Sequence, residues 1–254
     1  MKIRLLSDLH AEFRLPYKTA AFSAYFGEDV LVLAGDIASG SSNTINVIKH
    51  FKSAGFNHII YVPGNHEYYG TSLDDFDAKM RNRCAKLENV HFLNKDSIEI
   101  DGVLFIGATL WTDFNYSTYA KHSASRMIAD FKLIKDFTPN ICVNLHISHA
   151  SYIKHMYENR GDRKVVIVTH FLPALVCVSP QFQQNDPFGL NDYFAPDLEA
   201  DGWISSLENT TWLFGHTHDV VNIKLGSTRL IANPHGYYNS SEGKYFNPFK
   251  TIEV

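Results

Sequence analysis

Five short apolar runs recur along the chain, and each ends in a polar turn. They read IRLLSDLH at 3–10, DVLVLAGDI at 29–37, HIIYVPGNHE at 58–67, KVVIVTHF at 164–171 and TTWLFGHTH at 210–218. Runs of this length, rich in Val, Ile and Leu and closed by turn residues, predict buried strands followed by loops. Between the first three, Ser42 to Ala54 and Leu73 to Leu87 carry apolar residues at helical spacing, so strand and helix alternate as in βαβ units. From Val90 onward the strands also come in pairs, SIEI-DG-VLFIGA and VVNIKL-GS-TRLIA, with Asp101-Gly102 and Gly226-Ser227 as two-residue hairpin turns. Antiparallel strands are therefore expected beside parallel ones in a mixed α/β fold. The stretch from Tyr119 to Arg160 is polar with helical periodicity and predicts one or two covering helices. No internal repeat, low-complexity tract or Pro/Ser-rich linker divides the chain, so a single domain over 1–254 is expected.

Composition narrows the function classes. Apolar residues make up 45% and charged residues 20% of 254 residues, the balance of a globular protein with a full core. A formal net charge of -4 gives no general attraction to nucleic acid or an anionic membrane, so a phosphate ligand needs a local source of positive charge. Cys84, Cys142 and Cys177 are odd in number and widely spaced, which is neither a disulfide framework nor a zinc ribbon and fits a reducing compartment. The apolar stretch before Asp8 is too short for a signal peptide, and no apolar run approaches the roughly 20 residues of a membrane span. A cytoplasmic location is the expectation.

The candidate chemistry stands at the strand ends: Asp8 and His10, Asp36, Asn65 and His66, His170, and His216 and His218. Ligands of open α/β sheets gather at strand carboxyl ends, so loops far apart in sequence can converge there. In an extended segment residues two apart point the same way, which would let Asp8 and His10 reach one ion together. Oxygen and imidazole donors without cysteine suit Mn, Fe, Zn or Co. These are too many donors for one ion, whereas a pair of ions sharing one carboxylate uses seven of the eight, with Asp36 as the natural bridge. Each block alone has a plain structural reading: SDLH as a helix start, Gly35-Asp36 as a turn, GHTH as a hairpin tip. Together they load every strand end with metal-binding side chains.

The ordered set D-x-H, G-D, G-N-H-E, a strand-end His and G-H-x-H, spanning Asp8 to His218, resembles the calcineurin-like metallophosphoesterase superfamily. DLH, LAGD, PGNHEYYG and FGHTH are close to its small bacterial and phage-type members. The resemblance implies a four-layer αββα sandwich of two mixed sheets flanked by helices. It implies one metal held by Asp8, His10, Asp36 and His218 and another by Asp36, Asn65, His170 and His216, with His66 acting on the phosphoryl group or leaving oxygen. A hydroxide shared by the two ions would then be the nucleophile. Formal charge bears on the substrate: two divalent ions, less Asp8, Asp36 and a hydroxide, leave a single positive charge. That matches a phosphodiester monoanion, with a phosphomonoesterase or a nuclease of the same fold as alternatives, and a non-catalytic scaffold as a third class. A small phosphorylated substrate is the expected partner, membrane is not, and nucleic acid would need a local basic patch. The native metal and the oligomeric state are not specified by the sequence.

Two stretches are candidate substrate contacts: Trp111, Asp113 and Tyr116 in ATLWTDFNY, and Asn191, Asp192 and Tyr193 in the segment 179–194, whose Pro, Gly, Asn and aromatic content suits a long functional loop. A core tryptophan with a capped turn, and an inert surface loop, are the respective structural alternatives. His146 and His149 could clamp a metal across one helical turn but lack acidic or cysteine neighbours, so a solvated or core-edge place is expected, as for His50, His58, His91, His122 and His155. Phe171 stands where many relatives carry a second histidine, and His235 where a basic arginine is expected.

Overall fold

A computed structural model describes residues 1–13, 22, 24–237 and 242–254. Among them, one sheet contains β1 (Lys2–Leu6), β2 (Val30–Ala34), β3 (His58–Val62), β4 (Val90–Phe92) and β11 (Thr251–Glu253), in the order β11-β1-β2-β3-β4. The other contains β5 (Asp96–Ile100), β6 (Val103–Ala108), β7 (Lys164–Thr169), β8 (Thr210–Phe214), β9 (Val221–Leu225) and β10 (Thr228–Ala232), in the order β5-β6-β7-β8-β10-β9. β1 to β4 run parallel with β11 antiparallel at the edge. The second sheet is likewise parallel inside, with β5 and β9 antiparallel at its margins. This is the expected pair of mixed sheets flanked by helices.

The continuous apolar strands have a simple cause: successive side chains alternate faces, and both faces are covered. Ile3, Leu5, Val30, Val32, Ile60 and Val62 meet Phe105, Val166, Val168, Leu213 and Ile231 in the core between the sheets. Their neighbours Leu6, Leu31, Leu33, Ile59, Tyr61, Leu104, Ile106, Val165 and Ile167 join a second core with Ile48, Phe51, Phe76, Met80 and Ile153 from the helices. Each fully buried side chain of this kind contributes about 1.5–3 kcal/mol relative to exposure.

Helices Ser41–Ser53 and Leu73–Cys84 occupy the predicted stretches, the second ending three residues before Leu87. Ser72 caps the latter by accepting from the Asp75 amide, and Asp74 and Asp75 favour its positive end. The two hairpins pair as expected: Ile100 faces Val103 across Asp101-Gly102, and Leu225 faces Thr228 across Gly226-Ser227. The covering region resolves into helices Thr118–Met127 and Pro139–Glu158, with a single turn at Asp130–Leu133 between them. His146 and His149 are not solvated. Both are buried on the inner face of the longer helix, where His149 Nδ1 accepts from the Leu110 amide at 3.2 Å and burial pulls His149 down to about 3. The three cysteines are free and buried.

Arg4 carries an unforeseen cost. It lies on the outer face of β1 with no exposed surface, paired to Glu28, donating to the Ala24 carbonyl at 2.6 Å and ringed by Phe26, Phe56 and Phe249 at 5.6, 5.2 and 5.4 Å. Truncation would leave a carboxylate buried without its cation. Arg4→Ala is therefore expected to cost about 3–5 kcal/mol, and the Arg4→Met/Glu28→Gln pair much less, in denaturant unfolding. A loss below about 1 kcal/mol for Arg4→Ala would contradict this.

Candidate metal centre

The loops after β1, β2, β3, β7 and β8 are laced together by their own backbone. The Asp8 amide donates to the Gly35 carbonyl at 3.0 Å, the His10 amide to Asp36 at 3.0 Å, and the Gly215 amide to His170 at 3.0 Å. Ser7 makes an isolated parallel bridge to Pro234, stitching one sheet to the other at this pole. The chain leaves β1, β2 and β8 sharply. Asp8, His10, Asp36, His216 and His218 all have positive φ, at 53°, 45°, 51°, 65° and 52°. Asp8 and His10 are thus not brought together by strand alternation; left-handed backbone turns them onto the same point. Such conformations cost of order 1–3 kcal/mol each and persist where surrounding structure enforces them. Gly35, itself at φ 84°, has no room for a side chain because a Cβ would enter the His170 ring.

Two groups of donors result. In one, His218 Nε2 lies 3.2 Å from His10 Nε2 and 3.4 Å from Asp8 Oδ1. In the other, His170 Nε2 lies 3.5 Å from Asp36 Oδ1 and 3.0 Å from the Asn65 amide oxygen, with His216 beside it. Asp36 stands between them, its Oδ2 3.8 Å from His10 Nε2. The ligand atoms of Asp8, His10 and His218, and separately of Asp36, His170 and His216, lie within 4.8 Å of one another.

The electrostatics fit a cation. Burial opposes ionisation of Asp36, yet His170, His66 and His10 around it hold its carboxyl well below the usual range. Burial would lower His170 and His218, but Asp36 lifts the first to about 9, and Asp8 with Glu242 lifts the second to about 10. His216 goes the other way: burial, then the neighbouring His170, push it far below an ordinary imidazole. Its Nε2 is buried and has no hydrogen-bond partner among the described residues. A neutral imidazole nitrogen left over in a closed site, beside two carboxylates, is the donor a metal ion would satisfy.

Three carboxylates to which the motif reading gave no role hold this arrangement. Buried Glu67 accepts from the amides of Asp36 at 3.0 Å, Ile37 at 2.7 Å and Gly64 at 2.7 Å, clamping the loops after β2 and β3 together. Glu12 Oε1 lies 3.1 Å from both His10 Nδ1 and His66 Nδ1, and these two bonds outweigh burial to bring Glu12 down to about 2. Glu242 Oε2 lies 2.8 Å from His218 Nδ1. With both Nδ1 atoms held by Glu12, the Nε2 atoms of His10 and His66 face the centre. Glu12 sits just past DLH, in SDLHAE, and Glu67 closes GNHE; both are legible in place if not as clamps.

A cavity of about 580 Å³ opens beside the centre, lined by Asp36, Asn65, His66, His216 and His218 at one end and by Leu172, Val178, Phe182, Leu190 and Phe194 further out. Asn191 and Tyr193 line it, whereas Asp192 turns away to accept from Asn115 Nδ2 at 2.8 Å. The segment 179–194 is not wholly irregular: it holds single helical turns at Pro180–Gln183 and Asn191–Phe194. Trp111 does not reach the cavity. It is buried against Tyr68, Phe137 and Phe171, and Asp113 caps the Asn115 amide at 2.9 Å, while Tyr116 is 89% exposed. Phe171 is also fully buried and packs its ring 4.1 Å from that of His216. His235 sits near the centre but is occupied by the Gly236 carbonyl, at 2.9 Å from its Nδ1.

The calcineurin-like phosphoesterase family matches residues 1–220, and the chain belongs to that family, whose members use divalent metal ions on phosphoesters. Its chemistry is thus that of a metal-dependent phosphoesterase. It is similar to Uncharacterized protein L509 of Acanthamoeba polyphaga mimivirus, 30% identical over 277 residues that cover 99% of this chain and 96% of that one. Among solved structures, the phosphopantetheinyl hydrolase PptH from Mycobacterium tuberculosis has a TM-score of 0.73 at 18% identity, covering 93% and 89% of the two chains. A Thermus thermophilus protein, TT1561, has a TM-score of 0.56 at 14% identity, covering 92% and 88%. These two likenesses show the fold. No helix among the described residues is long and apolar enough to cross a membrane.

Glu67→Gln tests the clamp. Its amide nitrogen would confront backbone donors in place of an acceptor, an unsatisfied-donor cost of about 1–3 kcal/mol. The expected outcome is a lower unfolding midpoint together with weaker manganese uptake in calorimetry. Wild-type values for both would show that Glu67 does not hold Asp36.

Proposed function

We propose that the chain hydrolyses phosphodiester bonds of a small or nucleotide-derived substrate at a pair of metal ions. The observation that carries this reading is Asp36, a buried carboxylate whose Oδ1 faces His170 at 3.5 Å and whose Oδ2 faces His10 at 3.8 Å. One ion would be held by Asp8, His10, Asp36 and His218, and the other by Asp36, Asn65, His170 and His216. Mn, Fe, Zn or Co suit these oxygen and imidazole donors. Bound there, the ions would acidify the attacking water and neutralise charge on the phosphoryl oxygens.

The chain's own groups complete the reaction. His66 Nδ1 is held by Glu12, and its Nε2 lies 3.1 Å from the Tyr237 hydroxyl and 4.0 Å from Asp36 Oδ2, on the side of the centre that opens to the cavity. Burial lowers its proton affinity, but Asp36 and Glu12 more than restore it. A protonated His66 can deliver its Nε2 proton to the leaving oxygen, a contribution of roughly 10²- to 10⁴-fold. No Lys or Arg lines the cavity among the described residues, which suits a monoanionic diester better than a dianionic monoester or a polyanion. The apolar outer wall and Asn191 would meet the organic part of the substrate.

A metal-loaded preparation tested on a bis-aryl phosphodiester, an aryl monoester, 2′,3′- and 3′,5′-cyclic nucleotides and single-stranded DNA should turn over diesters, and Asp36→Asn should abolish this. DNA cleavage that falls with salt would point to a nuclease, and monoester preference would refute the diester assignment. Silence throughout with metals bound would indicate a non-catalytic scaffold. His66→Ala is expected to keep two metals per chain in elemental analysis while losing about 10²- to 10⁴-fold in kcat. Loss of metal in that variant would show that His66 is a ligand.

A further inference from the structure

The amide of Asn65 has two ends of nearly equal size, and which one faces His170 is decided by its partners. Asn65 Nδ2 donates to Asp130 Oδ1 at 2.9 Å, while Asn65 Oδ1 lies 3.0 Å from His170 Nε2. Asp130 is 1% exposed, and its hydrogen-bond partners among the described residues are neutral. It accepts from three donors: Asn65, the Tyr69 hydroxyl at 2.7 Å on the same oxygen, and the Tyr193 hydroxyl on Oδ2. A carboxylate whose neighbours all donate can hold only the NH₂ end of an amide. Burying it without a cation is costly, and these donors are what offset the cost.

We propose that Asp130 is a positioning residue: it locks the Asn65 amide so that the carbonyl oxygen faces the His170 and His216 side of the centre, and Tyr193 and Tyr69 hold Asp130 in place. This rests on Asn65 being a metal ligand, as proposed above. Tyr193 thereby changes role. Its hydroxyl is spent on Asp130, and the segment 179–194 that walls the cavity is tied to the centre through a chain of three hydrogen-bonded side chains. A substrate that shifts this segment would disturb one metal site and spare the other.

The test is Mn²⁺ titration of wild type and Asp130→Asn, following stoichiometry by elemental analysis and the pair by electron paramagnetic resonance, with the thermal midpoint as a control for folding. An asparagine at 130 is isosteric but can present its NH₂ to Asn65 and admit the flipped amide. The expected result is one Mn²⁺ bound within about threefold of wild type and the other weakened about 10- to 100-fold, the size of effect seen when groups that orient ligands are lost. The spin-coupled signal of the pair should give way to that of an isolated ion. Wild-type affinity at both sites, or equal weakening of both, overturns the proposal. If Asp130→Asn does not fold, the Tyr69→Phe/Tyr193→Phe variant carries the test, with about three- to tenfold selective weakening expected and none overturning it. Wild-type protein that binds only a single ion would instead refute the two-ion reading, and this inference with it.

Discussion

A carboxylate with almost no exposed surface, enclosed by imidazoles on two sides, is the constraint around which this molecule is built. Asp36 receives the His66 amide on the same oxygen that faces His170, and turns its other oxygen to His10 and His66. Coulomb attraction in such a closed space is strong, but so is the cost of removing the charges from water. The balance holds only if every partner is placed in advance. Hence the backbone clamp by Glu67, the carboxylate behind His10 and His66, and the one behind His218.

That pre-placement is spread through the fold. Five of the converging residues adopt left-handed backbone, a conformation most L residues avoid and one that Asp, Asn and His tolerate best. The residue types that bring donors to the centre are also those that bear its geometry most cheaply. The cost is offset by the two cores below: strands buried on both faces make a rigid platform whose carboxyl ends meet at one pole. Deviations of an ångström at this pole would separate donors that now lie within 4.8 Å of each other.

The cavity has a different origin. Its polar end comes from the strand loops, while its apolar wall is contributed by the segment from Leu172 to Phe194 and by Ile128 ahead of the Asp130 turn. Phe171, where a second histidine is common, buttresses His216 from the core side and lowers the polarity around that imidazole. The polar and apolar ends of the cavity are thus built from separate parts of the chain, joined by the hydrogen bonds of Asp130.

Much is legible in the chain itself. Strand runs closed by Asp, Asn and His, and the turns DG and GS, are local signals: alternation of side chains and left-handed turn propensity act within a few residues. The donor inventory is likewise readable, because no structural need explains acids and imidazoles after five strands at once. What local pattern does not reach is direction. Trp111 reads equally as a substrate contact or a core residue and lies in the core; His149 reads as solvated or at the core edge and is buried; Tyr193 reads as a substrate contact or part of an inert loop, and its hydroxyl meets Asp130. Arg4, Glu12 and Asp130 carry no motif of their own, and Glu67 closes one without showing what it holds, since each acts on partners distant in sequence. Neighbouring residues suffice to say which side chains stand at the strand ends and which layers lie beneath them. Which of those side chains face one another is settled in the folded chain alone, because it depends on loop conformation and long-range packing, where contacts between distant segments outweigh any local preference.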